Sequence, residues 1–353
     1  MVLVNGVLSD PAPVISGVPQ GSVIGPLLFL ILIGDIDKNV AFSFLSSFAD
    51  DTRLLRKVSG VRDASSLQTD LEAVYQWAVD NNCSFNNKKF EALRYGIDEI
   101  IKLTTSYTAP AGTLISVKDH IRDLGVTMSA DATFKEHINK ICQSAKNMCS
   151  WILRTFHSRS PELMLTLWKS LVLPILDYCS QLWNPAKIGD IQQIEEVQKA
   201  FTRKIQSSNR KDYWERLKTL GLYSLQRRRE RYCIIYVWKI LEGFVPNLSG
   251  GSKITGRTTL RYGRLCHVPS LKSSVSNKLQ SLRGSSFCIN GPNLFNSLPS
   301  RIRNLTKVGL PKFKSELDKF LKTIADEPLS KGYTACRRAA SNSLLHMIPA
   351  YRV

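Results

Sequence analysis

The chain has 353 residues, which is enough for two or three domains, and its hydrophobic content of 43% excludes wholesale disorder. Its 48 Lys and Arg against 29 Asp and Glu give a formal net charge of +19. This excess favours a polyanionic partner, first of all a nucleic acid, although a merely solvated basic surface is the alternative.

The spacing of the cysteines and the first residues of the chain bear on zinc binding and on the cellular location of the protein. The eight cysteines form no C-x-x-C pair, which argues against zinc. The first residues lack the basic and apolar regions of a signal peptide, and the longest apolar run is too short to cross a bilayer. We therefore expect an intracellular protein, nuclear or cytoplasmic, that is neither secreted nor bound to a membrane. The oligomeric state stays open.

Residues 1–33 begin with a predicted hairpin around Asn5-Gly6, the strongest two-residue turn signal. A bend rich in glycine and proline follows over residues 17–26, and Ser22 is a suitable cap for the apolar helix after it. Because this helix is apolar on all sides, we expect burial all round. An ordinary turn before a core helix explains the bend equally well.

Residues 41–58 predict a second hairpin, with Asp50 and Asp51 at its tip. Two adjacent acids are often only turn residues. Here apolar residues flank them on both sides, so we expect a buried hairpin. Two negative charges beside a core are costly unless a cation lies there, and a divalent metal held by carboxylate oxygens meets that requirement.

Hydrophobic periodicity predicts the remaining elements. A helix over residues 65–80 starts with a capping box of Ser65 and Gln68, short strands follow at 83–85 and 90–95, and residues 114–126 form a hairpin. From residue 134 the pattern is helical: one helix ends at Pro174, Asp190 caps another, and a further helix spans 225–241. We expect a loop over 249–264, turns over 287–299, a helix over 313–324 and weak order after 328.

The segment 199–264 holds 16 Lys and Arg and four Asp and Glu. Aromatic residues are interleaved with these charges, an arrangement suited to phosphate contact and base stacking, although Trp238 and Tyr232 fit a helix core better. The predicted nucleic-acid contacts are Arg203, Lys204, Arg227, Arg228, Arg229 and Arg231.

The string SGVPQGSVIGPLLF followed by FADD resembles the reverse transcriptases of non-LTR (LINE-type, jockey-like) retrotransposons. The later strings LPILDYCSQLWNP and ERLKTLGLYSLQRRRERY extend the resemblance over nearly the whole chain. It implies that Pro19, Gln20 and Gly21 contact the incoming nucleotide and the template. It also implies that Asp50 and Asp51 hold catalytic Mg²⁺ or Mn²⁺, and that Lys88 or Lys89 meets the triphosphate.

The resemblance implies an α+β fold: part of a right-hand polymerase palm, built from antiparallel hairpins and helices, followed by a mostly helical thumb. The expected divisions are a palm remainder over residues 1–128, a thumb-like basic region over 129–248, and a loop-rich C-terminal region with a final helix over 249–353.

The implied function is that of an RNA-directed DNA polymerase, with an RNA template, a DNA primer or hybrid, and a dNTP as partners of the intact parent. The family takes a further metal-binding aspartate from an earlier strand, and residues 1–16 contain only Asp10. Two-metal transfer needs carboxylates from both places. We therefore expect a fragment truncated at its N-terminus, with little activity alone. The alternative is a non-catalytic basic module that binds nucleic acid.

Overall fold

The computed structural model describes residues 1, 3–11, 17–18, 21–96, 98–206, 211–247, 253–260, 263–270, 277–328 and 341–348. The chain divides into two compact units, Met1–Ile121 and Arg122–Val353. Helices and small strand pairs make up the described part, which confirms the α+β class at this coarse level.

The strands of the first unit form three separate pairs. They are β1 (Leu3–Val4), β2 (Val7–Leu8), β3 (Phe44–Phe48), β4 (Asp51–Leu55), β5 (Glu91–Leu93) and β6 (Ser116–Lys118). The β1–β2 pair is the predicted hairpin: Asn5 and Gly6 have φ of 49° and 82°, as a two-residue turn with two left-handed residues requires.

The predicted hairpin over residues 114–126 is wrong. Strand β6 pairs instead with β5, in parallel and in register Glu91 with Ser116. Residues 83–85 form no strand, and Asn87–Lys89 make a short 3₁₀ turn. Parallel pairing joins strands that are distant in sequence, so the local pattern of alternation could not reveal it.

The helices of the first unit are α1 (Gly25–Ile33), α2 (Val61–Asp80) and α3 (Glu99–Thr104). Helix α2 begins four residues before the predicted start, so the capping box of Ser65 and Gln68 is wrong. Asp63 in the first turn accepts a hydrogen bond from the Ser59 N–H at 2.8 Å and does part of the capping. The core of this unit is small: Ile36, Val74, Trp77 and Ala78 are its buried residues.

Helix α1 forms as predicted, but its N-cap residue is Ile24, so the predicted cap at Ser22 is wrong. The Ser22 hydroxyl nevertheless accepts the Gly25 N–H at 3.1 Å. The expected burial of the helix is wrong, because Leu27, Leu30 and Ile31 are 59%, 60% and 68% exposed. An apolar sequence indicates that burial of the helix is favourable, but it does not identify the surface against which the helix packs.

Strand β7 (His120–Asp123) crosses the division between the units and pairs with β8 (Val126–Ser129), and the helices of the second unit follow. These are α4 (Lys135–Thr155), α5 (Pro161–Leu167), α6 (Leu173–Asp177), α7 (Ser180–Trp183), α8 (Ile188–Thr202), α9 (Tyr213–Leu220) and α10 (Leu225–Leu241). One large core lies between α4, α5, α6 and α8 and includes Ile152, Trp168 and Phe201.

Two predicted helix boundaries in this unit are wrong, and one is confirmed. The helix does not end at Pro174: a π-helical turn over Trp168–Val172 places Pro174 in the first turn of α6, where a missing N–H costs nothing. Asp190 lies within the first turn of α8 and does not cap it. Helix α10 has the predicted bounds.

The remaining elements surround a second core that includes Trp238, Phe295 and Phe313. They are β9 (Gly256–Thr259), β10 (Gly263–Cys266), α11 (Asn277–Ser285), α12 (Phe287–Ser297), α13 (Ser300–Arg303), α14 (Leu310–Leu321) and α15 (Leu344–Met347). Within the described residues the expected loop over 249–264 is thus an antiparallel pair, and the expected turns over 287–299 are largely helix α12.

Gly291 explains how α12 packs so closely on α10. A Cβ at this position would lie 2.9 Å from Cγ2 of Val237, so only glycine lets the two helices approach. Residues 341–348 also pack into the second core, with Leu344 and Met347 buried, so the expected weak order is wrong for this part of the tail. In the described part of the chain, no helix is both long and apolar enough to span a membrane.

Candidate active site and nucleic-acid interface

The predicted acidic hairpin is present, and its tip is a two-residue turn. Phe48 pairs with Asp51, so Ala49 and Asp50 connect β3 to β4. Ala49 has φ of 51°, in the left-handed region that a residue with a Cβ rarely adopts. Below the turn, the hydroxyls of Ser47 and Thr52 share a hydrogen bond of 3.0 Å across the strands. The strands therefore hold the tip in register while the turn carries backbone strain.

The two carboxylates at this tip face solvent. Asp50 and Asp51 are both exposed, as are Phe44 and Phe48, so the expected burial of the hairpin is wrong. Within the described residues, neither carboxylate has a basic partner. Mg²⁺ commonly takes one or two protein carboxylates and completes its shell with substrate phosphates and water. The donor set fits that mode, and the described residues contain no group of three metal-ligating side chains.

Helix α2 anchors the hairpin through a buried carboxylate. Asp70 is 1% exposed and accepts the backbone N–H groups of Ala41 at 2.8 Å and Phe42 at 3.0 Å. These bonds fix the chain just before β3. Sequence reasoning missed Asp70, although its place among the apolar residues of α2, one turn before Val74, was a usable signal.

A second contact holds the other end of the hairpin. Arg56, just after β4, pairs with Asp63 of α2 at 3.0 Å and also donates to the Phe42 carbonyl oxygen. The Ser59 N–H and the Arg56 guanidinium lower the pKa of the Asp63 carboxyl. Both strands therefore connect to α2, which acts as the support for the hairpin.

The predicted lysines lie on a turn held by the same helix. Lys88 and Lys89 are exposed, and the Asn86 side chain accepts the Lys88 N–H at 3.1 Å. Beside the turn, the ring of Phe90 packs edge-on against Tyr75 of α2, with centroids 5.4 Å apart. Helix α2 thus positions both the acidic tip and the lysine turn.

The predicted nucleotide-binding bend is described only in part. Pro19 and Gln20 lie outside the described residues. Gly21 is exposed with φ of 88°, a conformation that suits glycine and strains other residues. The contact of this bend with a nucleotide or template stays a prediction.

The arginine cluster on α10 requires a correction. Arg227 and Arg229 are 0% and 1% exposed, so neither can contact a nucleic acid in this fold, and the prediction for these two residues is wrong. Arg227 donates to the carbonyl oxygens of Ala325 at 2.9 Å and Asn342 at 3.3 Å. Arg229 donates through Nε to Asn184 at 3.0 Å.

Three arginines of the cluster form ion pairs, and the longest of these joins Arg227 to Asp326 at 3.8 Å. Arg228 pairs with Asp177 at 2.7 Å, and Arg231 pairs with Asp318 at 2.5 Å. Burial raises the pKa of the Asp177 carboxyl, an effect that the guanidinium of Arg228 opposes. Most of the charge of the cluster is therefore neutralised internally and serves the packing of α10.

Arg203 and Lys204 remain as exposed basic residues, directly after α8. Among the described residues, neither forms an ion pair. These two cations are available to a polyanion, in contrast to the arginines of α10.

The turn therefore presents two exposed carboxylates on a hairpin that α2 supports. Residues 2–128 match the family described as reverse transcriptase (RNA-dependent DNA polymerase). This segment is therefore similar to reverse transcriptases. The predicted kinship with the enzymes of jockey-like non-LTR retrotransposons is also confirmed.

The particular relatives are proteins of mobile elements. The chain is 29% identical over 219 residues to the RNA-directed DNA polymerase from mobile element jockey of Drosophila melanogaster, and 28% identical over 217 residues to that of Drosophila funebris. It is 26% identical to the probable RNA-directed DNA polymerase from transposon BS of Drosophila melanogaster. Each match covers 58% of this chain and 23% or 24% of the relative. No solved structure matches the chain.

Proposed function

We propose that this chain carries the metal-binding hairpin of an RNA-directed DNA polymerase and takes part in nucleotidyl transfer to a DNA primer on an RNA template. The observation that carries the proposal is the turn at Ala49 and Asp50 on a strained, well-anchored hairpin. Its two carboxylates have no basic partner in the part of the chain that the structure describes. Backbone strain of this kind is concentrated at functional sites.

In this proposal, Asp50 and Asp51 hold Mg²⁺ or Mn²⁺, while Lys88 or Lys89 contacts the triphosphate of a dNTP. Divalent metal held there would activate the primer hydroxyl and stabilise the leaving pyrophosphate. Pro19, Gln20 and Gly21 contact the nucleotide and template. The first unit then corresponds to a polymerase palm and the helices after it to a thumb, with the divisions 1–128, 129–248 and 249–353.

Metal binding at the tip can be tested without catalysis. We expect the bound Mn²⁺ signal in electron paramagnetic resonance to fall about tenfold for Asp50→Asn with Asp51→Asn, because carboxylate oxygen is the hard ligand that these ions prefer. Asp37→Asn removes an equally exposed acid and is the control. Equal Mn²⁺ binding by all three proteins would refute the metal site.

Activity is tested by primer extension on an RNA template. Asp50 and Asp51 provide one carboxylate set, and two-metal transfer uses carboxylates from two places. We therefore propose that the chain alone extends a primer little or not at all. Strong synthesis that Asp50→Asn abolishes would overturn this proposed inactivity while supporting the assignment of the hairpin.

A second candidate function is a non-catalytic module that binds nucleic acid. The net charge of +19 and the exposed cations Arg203 and Lys204 favour it. Binding should weaken steeply with salt, because each neutralised phosphate releases counterions. Affinity for an RNA–DNA hybrid that is the same at 50 mM and 200 mM salt would exclude this function. We also propose that the protein acts in the nucleus or cytoplasm.

A further inference from the structure

A cleft of about 390 Å³ lies between α13 and α14 of the second unit, and neither candidate function uses it. Its floor is formed by the apolar residues Ile302, Leu305 and Phe320. Three basic side chains form its rim, namely Arg301, Lys312 and Lys319. We call this feature the α13–α14 cleft.

The rim of the cleft carries a positive field. Arg301 and Lys312 are exposed, and among the described residues neither forms an ion pair. Lys319 pairs with Glu316 at 2.7 Å, and Glu316 is the one acid that lines the cleft in this part of the chain. Lys319, Lys312 and Arg301 all lower the pKa of the Glu316 carboxyl, so the three cations act on the same space.

The floor is rigid, because it belongs to the second core. Ile302 is 3% exposed, and Leu305 and Phe320 pack against that core. The carbonyl oxygen of Leu305 also accepts the indole N–H of Trp238 at 2.7 Å. A pocket whose floor does not rearrange loses little conformational entropy when a ligand enters.

We propose that the α13–α14 cleft binds one nucleotide unit of a single-stranded nucleic acid. The phosphates contact Arg301 and Lys312, and an unpaired base lies on the ring of Phe320. The volume lies within the range of small-ligand pockets. A positive groove with an aromatic platform is the arrangement that single-strand binding uses, and a base in a duplex has no free face to offer.

An acidic peptide would match the rim and leave the apolar floor unused, so the observations favour the nucleic acid. The inference rests on the nucleic-acid binding of the proposed function and not on its catalysis. RNA and DNA share the required chemistry of phosphate and unpaired base, and the experiment separates them.

The test measures the fluorescence anisotropy of labelled 12-nucleotide RNA and DNA of one sequence with the full chain. We expect Arg301→Gln with Lys312→Gln to weaken binding of at least one strand about tenfold, and to reduce the slope of log affinity against log salt by about 1.4. The strand that is weakened more identifies the natural ligand. The control, Lys314→Gln with Lys322→Gln, removes the same charge next to the cleft from residues that do not line it, and should change affinity less than about twofold.

A second variant tests the floor. Phe320→Leu keeps an apolar surface and removes the ring, so we expect about a fivefold loss of affinity with the salt slope unchanged. Equal losses of affinity in the cleft and control variants would overturn the proposal. So would a cleft variant that binds a polyglutamate peptide more weakly but keeps its affinity for both nucleic-acid strands. If the unaltered chain bound neither strand, nucleic-acid binding itself would fall. If the unaltered chain and the cleft variants bound the strands with equal affinity, only the proposed role of the cleft would be refuted.

Discussion

Ala49 occupies a left-handed backbone conformation at the tip of the acidic hairpin, with φ of 51°. A Cβ makes this region unfavourable by roughly 1–2 kcal/mol, and a β-branched side chain makes it worse. We therefore predict that Ala49→Gly slows hydrogen exchange of the β3 and β4 amides, with a local gain of about 1 kcal/mol. Ala49→Val should speed exchange by a similar free energy. Mass spectrometry of the peptide that contains residues 44–55 measures both.

Ala41→Gly is the matched control for that prediction. Ala41 is exposed, has no positive φ and keeps its N–H bond to Asp70 after the change. Glycine there only adds freedom to the unfolded chain, so exchange should become slightly faster. Faster exchange in both glycine variants would show that Ala49 is not strained.

His137 makes the stability of the second unit depend on pH. It is 3% exposed, and its Nδ1 accepts the Thr127 N–H at 3.2 Å, so the neutral ring carries its proton on Nε2. Burial, with a smaller effect of Lys140, lowers the pKa of His137 from 6.5 to about 4. Below pH 6.5 the unfolded chain binds a proton that the folded chain does not. Stability on the order of 3 kcal/mol is therefore present above pH 6.5 and lost as the pH falls towards 4.

The variant His137→Asn isolates this effect. The amide oxygen can accept the Thr127 N–H as Nδ1 does, but the side chain does not titrate. We expect the difference in free energy of unfolding between the two proteins, measured by urea denaturation, to change on the order of 3 kcal/mol between pH 7 and pH 4.5. Parallel pH profiles would contradict the assignment of the lowered pKa to His137.

The sequence predicted Asp50 and Asp51 at a turn, because adjacent acids between apolar strands are a local pattern. It did not predict the burial of Arg227 and Arg229, because their partners are far along the chain: Arg227 meets Ala325 and Asn342, and Arg229 meets Asn184. The sequence of a basic run does not distinguish side chains that face solvent from side chains that donate to polar groups far along the chain. Asp70 was missed for the same reason.

At the scale of elements, the segment 341–348 completes the polar contacts of α10. Glu230 is 4% exposed and accepts hydrogen bonds from the Ser343 hydroxyl at 2.5 Å and the Leu344 N–H at 2.9 Å. Burial raises the pKa of the Glu230 carboxyl, and these bonds oppose that shift. The segment therefore supplies partners that a buried carboxylate needs.

A chain that ends at Pro328 should consequently be less stable. Removing the partners of a buried charge typically costs about 3–5 kcal/mol. We expect a loss of that order in the free energy of unfolding, measured by urea and circular dichroism. Glu230→Gln in the shortened chain should restore part of the loss, because an amide is cheaper to bury than a charge. An unchanged midpoint on shortening would show that the segment is dispensable.

The helical periodicity of the sequence predicted α10 to its bounds. In the structure the Ser224 hydroxyl caps this helix and accepts the Arg227 N–H at 3.0 Å. Local signals did not predict the parallel β5–β6 pair. They also failed at Pro174, because a π-helical turn precedes this proline and the chain remains helical beyond it. Pairing at long range and the packing that stabilises a wide turn are tertiary effects. The periodicity of a short window does not contain them.

At the scale of the whole molecule, the two units differ in how much apolar surface they bury. The core of the first unit comprises Ile36, Val74, Trp77 and Ala78, and many of the apolar residues of α1 and the acidic hairpin are exposed. The second unit has two extensive cores, centred on residues such as Trp168 and Trp238. Because burial of apolar area is the main stabilising contribution, the second unit should be the more stable.

We predict that limited trypsin digestion leaves a resistant product that begins close to Arg122, because the 48 Lys and Arg place cleavage sites in both units and protection then reports local stability. A chain of residues 122–353 expressed alone should show, within about 1 kcal/mol, the unfolding free energy of the slowest-exchanging amides of the full chain. Those amides should lie in α4, α8 and α10, where buried apolar contacts are densest. Survival of residues 1–121 while the helices are degraded would mean that core size does not govern the order of unfolding.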